Sequence, residues 1–142
     1  MDKPTFVYVT YIATTLEQLW EALTSEPFTQ QYWEEGQLQS DWQVGSSVQQ
    51  INPDGESQGI GEVLQSEPPY RLSYTLQPPN VTSSLPSRVR FEMEPYGVTV
   101  KLTLIHERLN TQSCIAMSRR WTDSLSYLKR LLEIEEVLAL VA

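Results

Sequence analysis

The strongest constraint on the fold of this 142-residue chain is a strict alternation of apolar and polar residues in three runs of its second half. The apolar positions of these runs are Tyr70, Leu72, Tyr74 and Leu76; Val89, Phe91 and Met93; and Val98, Val100, Leu102 and Leu104. A period of two is typical of antiparallel strands with one buried and one solvated face. Turn sequences at Asn52–Gly55 and Glu94–Gly97 place Pro or Gly where tight turns accept them. The sequence therefore predicts a meander of strands.

The residues before these runs predict one strand and two short helices. The strand covers Thr5–Ile12, which is rich in Val, Tyr and Thr. Thr14 or Thr15 begins the first helix in a capping-box pattern, and Pro27 is expected to end it. The segment Pro27–Trp33 is expected to form the second helix, with its aromatic residues on one face.

A long helix is predicted at the C-terminal end, over roughly Ala116–Leu140. Its apolar stripe follows the 3.6-residue period and comprises Met117, Trp121, Leu125, Leu128 and Leu132. Cys114 is expected to precede this helix, and Glu135 is expected to lie in water beyond the sheet. The tail Val137–Ala142 is apolar on all sides, which suits a contact with another element or another subunit.

These elements predict one α+β domain over residues 1–142, since a sheet that is buried on one face needs a cover. A curved antiparallel sheet of about six to seven strands would wrap around the C-terminal helix, with the two short helices after the first strand. A strongly twisted sheet of this size curls. We expect curling to leave a hollow between sheet and helix at one end.

Charge and composition exclude several classes of function. With 10 basic and 18 acidic residues the net charge is −8, which opposes binding to nucleic acid and to anionic membranes. No apolar run approaches the roughly 20 residues of a membrane span. The N-terminus has no signal-peptide pattern, and the single Cys114 fits a reducing compartment, so we expect a cytoplasmic protein. The single histidine and the lack of nucleotide-binding motifs predict neither a metal nor a cofactor.

Several segments, in this order, resemble a known superfamily. They are IATTLEQLWEALTSEPFTQQYW, SDWQVGS, GEVLQSEPPYRLSYT, RVRFEMEP, VKLTLIHE and WTDSLSYLKRLLE, between about Tyr11 and Glu133. The chain resembles the START-like superfamily called SRPBCC, and within it the branch named for the activator of the 90-kDa heat-shock protein ATPase. The resemblance implies a helix-grip fold with an apolar cavity between sheet and C-terminal helix. The superfamily includes lipid carriers, hormone receptors, aromatase-cyclases and chaperone-linked domains, so the fold alone does not fix the function.

The alternation places a set of side chains on the inner surface, where they could contact a ligand. This predicted lining comprises Tyr8, Thr10, Trp33, Trp42, Tyr74, Phe91, Met93, Leu102, Leu104, His106, Met117, Trp121 and Leu125. The tryptophans would form apolar walls, and the hydroxyls of Tyr8, Thr10 and Tyr74 would orient a polar group. His106 falls on the buried face, where it either serves a ligand or is a core histidine whose hydrogen bonds a neighbour satisfies.

Three functions remain open from the sequence. The leading hypothesis is a binding module, rather than an enzyme, for a small hydrophobic or amphipathic molecule of lipid, polyketide or aromatic type. The first alternative is an enzyme of the cyclase or hydrolase type that uses His106 in the same cavity. The second is a protein-interaction domain related to chaperone ATPase stimulation. A homodimer is also possible, through the apolar outer face of the first strand or the helix tail.

Overall fold

The computed structural model describes residues 4–33, 36–78 and 85–141, with side chains as far as residue 135. In these ranges a curled antiparallel sheet of seven strands packs its inner face against a long helix. The strands are β1 (Phe6–Ile12), β2 (Gln37–Gln39), β3 (Ser47–Ile51), β4 (Ser57–Glu67), β5 (Arg71–Leu76), β6 (Ser87–Tyr96) and β7 (Thr99–Glu107). The helices are α1 (Leu16–Thr24), α2 (Glu26–Tyr32) and α3 (Thr111–Val141). The order across the sheet is β1-β7-β6-β5-β4-β3-β2, so β1 and β2 are its edges. The predicted α+β helix-grip fold is confirmed.

The predicted alternation holds along the central strands. Tyr74 of β5 pairs with Val89 of β6, which pairs with His106 of β7, and all three side chains are buried on the inner face. Along β1 the inner residues lead to Ile12, which is fully buried, while the outer residues are exposed. This register places the predicted lining of β1 on the concave side.

The strand ends differ from the prediction in two places. Tyr70 lies in the β4–β5 turn and is half-exposed, so the alternation of β5 begins at Leu72 instead. The predicted turn Glu94–Gly97 is also wrong, because β6 continues to Tyr96, which pairs with Thr99. Two residues remain for the hairpin turn, and Gly97 takes the left-handed φ of 62° that glycine accepts. The second turn residue, Val98, is 91% exposed rather than inward.

The N-terminal helices begin as the sequence indicates but divide differently. Thr15 caps α1, since its hydroxyl accepts a hydrogen bond of 3.1 Å from the Gln18 N–H. The helix ends at Thr24, before the predicted stop at Pro27. Pro27 instead lies in the first turn of α2, where its missing N–H has no intrahelical partner to lose.

Helix α3 begins five residues before the predicted start. The Asn110 side chain accepts a hydrogen bond of 2.7 Å from the Ser113 N–H, and this places the first turn at Thr111. Cys114 therefore lies inside α3, which corrects the prediction that it precedes the helix.

The inner stripe of α3 packs into the core of the sheet. Its buried residues are Trp121, Leu125, Leu128 and Leu132, whereas Met117 is half-buried and Glu135 is exposed as expected. Glu133 joins α3 to the end of β1, because its carboxylate accepts hydrogen bonds from the Ala13 N–H (3.0 Å) and the Lys129 ammonium (2.7 Å). The predicted contact of the tail Val137–Ala142 lies outside the described side chains. Within the described ranges, no helix is long and apolar enough to cross a bilayer.

Candidate functional site

A row of aromatic rings crosses the interior between the sheet and α3. We call Trp42, Tyr74, Phe91, Trp121 and His106 the aromatic row. Successive ring centroids lie 5.5, 6.5, 5.7 and 6.1 Å apart along it, within the range of aromatic contacts. Trp33, at the end of α2, packs against Trp121 at 4.6 Å. The rings therefore fill the middle of the interior, and open space is found towards the two ends of the row.

The hydrogen bonds of His106 define its protonation and its orientation. The Trp121 indole N–H donates to Nδ1 at 3.0 Å, so Nδ1 has no proton and the neutral ring carries its proton on Nε2. Nε2 lies 2.9 Å from the Ser87 hydroxyl and donates to it. That hydroxyl in turn donates to the Leu76 carbonyl at 2.7 Å. Burial lowers the pKa of His106 to about 4, which keeps the ring neutral at physiological pH.

His106 forms part of the wall of a groove between the first half of α3 and the ends of β3 to β7. The groove has a volume of about 370 Å³. We call it the α3 groove; its lining comprises Gln50, Gln58, Leu76, Gln77, Pro78, Ser87, His106, Leu109, Ser113, Ala116, Met117 and Arg120. Apolar atoms of Leu76, Leu109 and Met117 lie beside amide and hydroxyl groups. Arg120 is the one charged side chain among the described lining residues.

The direction of these hydrogen bonds argues against catalysis by a His106–Ser87 pair. A general base must accept a proton, yet Nε2 already carries one and donates it to Ser87. If both ring nitrogens were protonated, the Nδ1–H of His106 would point at the Trp121 N–H, and the hydrogen bond between them would be lost. Among its described lining residues the α3 groove contains no carboxylate that could supply a second acid or base.

The structure separates the predicted lining residues into three groups. His106 and Met117 line the α3 groove. Tyr8 and Thr10 are half-buried on the inner face of β1, and Tyr8 packs against the core. The others lie buried within the core cluster, namely Trp33, Trp42, Tyr74, Phe91, Met93, Leu102, Leu104, Trp121 and Leu125. Their role as ligand contacts therefore stays a prediction.

The sequence analysis did not identify most of the polar groups of the α3 groove. Gln50 is 95% buried at an inward position of β3, two residues after the core residue Val48, and Ser87 occupies the inward position before Val89. A polar residue in the inward register of a strand was the available signal. Ser113 could not be placed there, because the predicted α3 began too late, and Arg120 lies outside the apolar stripe by which that helix was oriented.

The residues described offer no metal site, since no group of three or more His, Cys, Asp or Glu side chains lies close enough together to hold an ion. The groove is instead suited to a molecule with an apolar body and a polar edge, because apolar side chains share its surface with amides, hydroxyls and Arg120.

The curled sheet, the long C-terminal helix and the groove between them define a domain of the START-like, helix-grip class. Within this class the chain belongs to the family described as activator of Hsp90 ATPase homolog 1-like protein, whose model matches residues 13–133. The predicted resemblance is thereby confirmed. A comparison with curated proteins found no match.

Solved structures with the same fold come from several organisms. Protein MLL2253 from Mesorhizobium loti is 24% identical with a TM-score of 0.80, covering 92% of this chain and 97% of that one. The Aha1 dimer from Colwellia psychrerythraea is 18% identical with a TM-score of 0.77, covering 92% and 97%. PFC0360w, an HSP90 activator from Plasmodium falciparum, is 16% identical with a TM-score of 0.72, covering 90% and 95%. The TM-scores establish a shared fold, and at identities this low the similarity shows the fold alone.

Proposed function

We propose that this domain binds a small hydrophobic or amphipathic molecule in the α3 groove. The observation that carries the proposal is the groove itself, whose 370 Å³ fall within the roughly 300–1,000 Å³ of ligand pockets. Burying about 200 Å² of apolar ligand surface would contribute about 5 kcal/mol at ~25 cal/mol per Å². The opposing cost of immobilising a ligand is of similar size, about 4 kcal/mol or more, so useful affinity also requires the hydrogen bonds at the polar edge of the groove.

The walls of the groove suit the two ends of such a ligand. Leu76, Leu109 and Met117 offer contact to an apolar body, and the thioether of Met117 adapts to irregular shapes. At the polar edge, Arg120 and the neighbouring amides and hydroxyls favour a ligand group that accepts hydrogen bonds. His106 is held rigidly by Trp121 and Ser87, so this wall is preorganised.

Filling the groove tests the proposal. Ala116 is exposed and lines the groove, whereas its neighbour Ile115 is exposed and lies outside the lining. A fatty acid, a flavonoid and a sterol are titrated into the purified protein by calorimetry and in thermal melts. We expect one class to raise the melting temperature by several degrees. Ala116→Trp should abolish this rise, and Ile115→Trp should retain it.

Two results would contradict a ligand in this groove. The first is that none of the three classes changes the melting temperature of the unsubstituted protein. The second is that Ala116→Trp binds the same ligand as tightly as Ile115→Trp.

We infer, as a second candidate, self-association through the outer face of β1. Three outward side chains of this edge strand, Val7, Val9 and Tyr11, are exposed, and the Tyr11 ring packs on the exposed Tyr96 at 5.0 Å. The sequence of β1 contains no charged residue that would discourage another strand. A structural relative, the Colwellia Aha1 dimer, assembles as its name states. A second copy of β1, paired antiparallel at this edge, is the partner that these features favour.

A further inference from the structure

Two buried hydrogen-bond donors at the far end of the aromatic row have no partner among the described residues. They are the Tyr74 hydroxyl and the Trp42 indole N–H. Tyr74 is 1% exposed and Trp42 is 9% exposed. Two other buried donors of the same chemical types are paired: the Tyr32 hydroxyl donates to the Ala22 carbonyl at 2.9 Å, and the Trp121 indole donates to His106. An unpaired buried donor destabilises a protein, so this pair needs an explanation.

Trp33 has a second unpaired indole N–H, and it directly precedes residues 34–35, which the structure does not describe. For this reason we build nothing on Trp33. Tyr74 and Trp42 differ because they contact each other, with ring centroids 5.5 Å apart in an edge-on arrangement.

The backbone of Trp42 is held in a conformation that large side chains rarely adopt. Its φ is 56°, in the left-handed region where the Cβ atom crowds the backbone. Two serines stabilise this conformation. The Trp42 N–H donates to the Ser40 hydroxyl at 3.0 Å, and the Ser66 hydroxyl donates to the Trp42 carbonyl at 2.7 Å. These hydrogen bonds fix the backbone that carries the indole, and backbone conformations of this kind are often found at functional sites.

The indole also borders an open cleft on the surface. This cleft, which we call the Trp42 cleft, has a volume of about 640 Å³ and is lined by Trp20, Thr24, Asp41, Trp42, Gln43, Val44, Ser66 and Pro68. Trp42 thus contacts the cleft on one side and Tyr74 on the other. The α3 groove lies elsewhere and shares no lining residue with the cleft.

We propose that the Trp42 cleft is a second binding site, for a flat apolar molecule that carries an uncharged hydrogen-bond acceptor such as a ketone or ester carbonyl. Both donors lie beneath the surface of the cleft, and Tyr74 is not part of its lining. The guest therefore enters by displacing the Trp42 indole from its buried position, and its oxygen then accepts hydrogen bonds from the indole N–H and the Tyr74 hydroxyl. The aromatic rings provide flat walls for a planar guest.

The charges around the cleft select against an anion. Asp41 is the one charged side chain in the described lining, so no cation there compensates a buried carboxylate or phosphate. Burial raises the pKa of Tyr74 above its ordinary value of 10, so its hydroxyl is protonated and able to donate. A neutral carbonyl oxygen satisfies both donors without bringing a charge into the interior.

Three naphthalene probes of nearly equal shape test the proposal. They are 2-acetylnaphthalene, which has the carbonyl; 2-ethylnaphthalene, which lacks it; and 2-naphthoate, which is an anion. We expect the ketone to bind at least tenfold more tightly than either of the others. In ¹H–¹⁵N spectra the ketone should shift the Trp42 indole resonance, which is assigned from the Trp42→Phe spectrum.

Two tyrosines provide matched variants. Tyr74→Phe removes an unpaired hydroxyl, so it should weaken ketone binding fivefold or more, leave 2-ethylnaphthalene unaffected and raise the melting temperature of the free protein. Tyr32→Phe removes a paired hydroxyl, so it should lower the melting temperature and keep the preference for the ketone. The opposite changes in the melting temperature of the free protein distinguish a hydroxyl that is reserved for a ligand from one that stabilises the fold.

The proposal is overturned if the ketone and the hydrocarbon bind equally, or if Tyr74→Phe leaves their ratio unchanged. It is also overturned if Ala116→Trp removes the ketone preference, because the ketone would then occupy the α3 groove. If the groove binds none of its own ligands while the ketone preference persists, the proposed function fails and this second site stands.

Discussion

At the scale of single residues, burial of His106 makes the stability of the folded protein depend on pH, and the direction of this dependence can be predicted. The folded protein keeps His106 neutral, with a pKa of about 4 instead of the ordinary 6.5, because it is buried. Between these values the unfolded chain binds a proton that the folded chain does not. Stability is therefore complete above about pH 6.5 and falls as the pH is lowered towards 4, by up to ~1.4 kcal/mol per pH unit and on the order of 3 kcal/mol in total.

The carboxylates of Glu107 and Glu133 affect stability at lower pH than His106 does, so their contributions can be separated from that of the histidine. Burial alone would raise the pKa of Glu107, but the hydrogen bond and charge of Arg88, with further charges nearby, lower it below 4.5. For Glu133 burial is likewise outweighed by the hydrogen bonds from Lys129 and Ala13. Their contributions are present above pH 4.5 and are lost only below it.

The test is urea unfolding at intervals between pH 7 and pH 5, for the protein and for His106→Gln. We expect the unsubstituted protein to lose stability over this range and the variant to remain nearly level. An equal slope in both proteins would show that His106 is not the titrating group.

At the scale of elements, the irregular pairing of β4 depends on a glycine. A Cβ atom at Gly61 would lie 1.7 Å from the Thr75 carbonyl oxygen, which is backbone and cannot move away alone. At Gly59, in the same strand, the nearest atom would be a methyl group of Leu76 at 3.0 Å. We expect Gly61→Ala to lower the free energy of unfolding by more than about 2 kcal/mol, and Gly59→Ala by less than about 1 kcal/mol.

Urea denaturation of the two alanine variants measures this difference. The register of β4 with β5 shifts just after Gly61, between Val63 and Gln65, so the glycine permits the close approach there. Similar losses in the two variants would mean that β4 can shift to accept a side chain at either position.

The elements also show where sequence patterns lose precision. Periodicity located the interiors of strands and helices, because burial on one face imposes it. The ends of helices and strands depend on single hydrogen bonds, which a periodic pattern does not reveal. The prediction therefore missed the Asn110 cap, which starts α3 at Thr111. The prediction also placed Val98 in a strand, because valine ordinarily prefers strands, whereas this valine is exposed in a tight turn.

At the scale of the whole molecule, the fold was predictable and the site mostly was not. The wrapped sheet follows from alternation and from the long apolar stripe of α3, which any sequence of this pattern must bury. The α3 groove forms where six elements and loops end near one another, and its polar groups, such as Gln50 and Ser87, interrupt the pattern that predicts the core. The unpaired donors of Tyr74 and Trp42 depend on side-chain packing, which residue types do not specify.

Self-association is the whole-molecule prediction, and net charge governs it. Each chain of 16.3 kDa carries a charge of −8, so two copies repel each other over distances that salt shortens from about 10 Å at 0.1 M to about 3 Å at 1 M. The strand β1 itself has no charged side chain, and the Lys129 ammonium of α3 donates to the Tyr11 carbonyl at 2.8 Å. We therefore expect light scattering to show about twice the monomer mass, with a dimer fraction that increases with sodium chloride.

The centre of β1 provides the matched variants for this contact. In an antiparallel pair of β1 strands Val9 lies beside its own copy, so Val9→Lys places two ammonium groups together and should give monomers at every salt concentration. Val98→Lys, in the exposed β6–β7 turn, adds the same charge away from the edge and should leave the dimer intact. Monomers of the unsubstituted protein at high protein and salt concentration would refute self-association, and equal dissociation by both lysines would place the contact elsewhere.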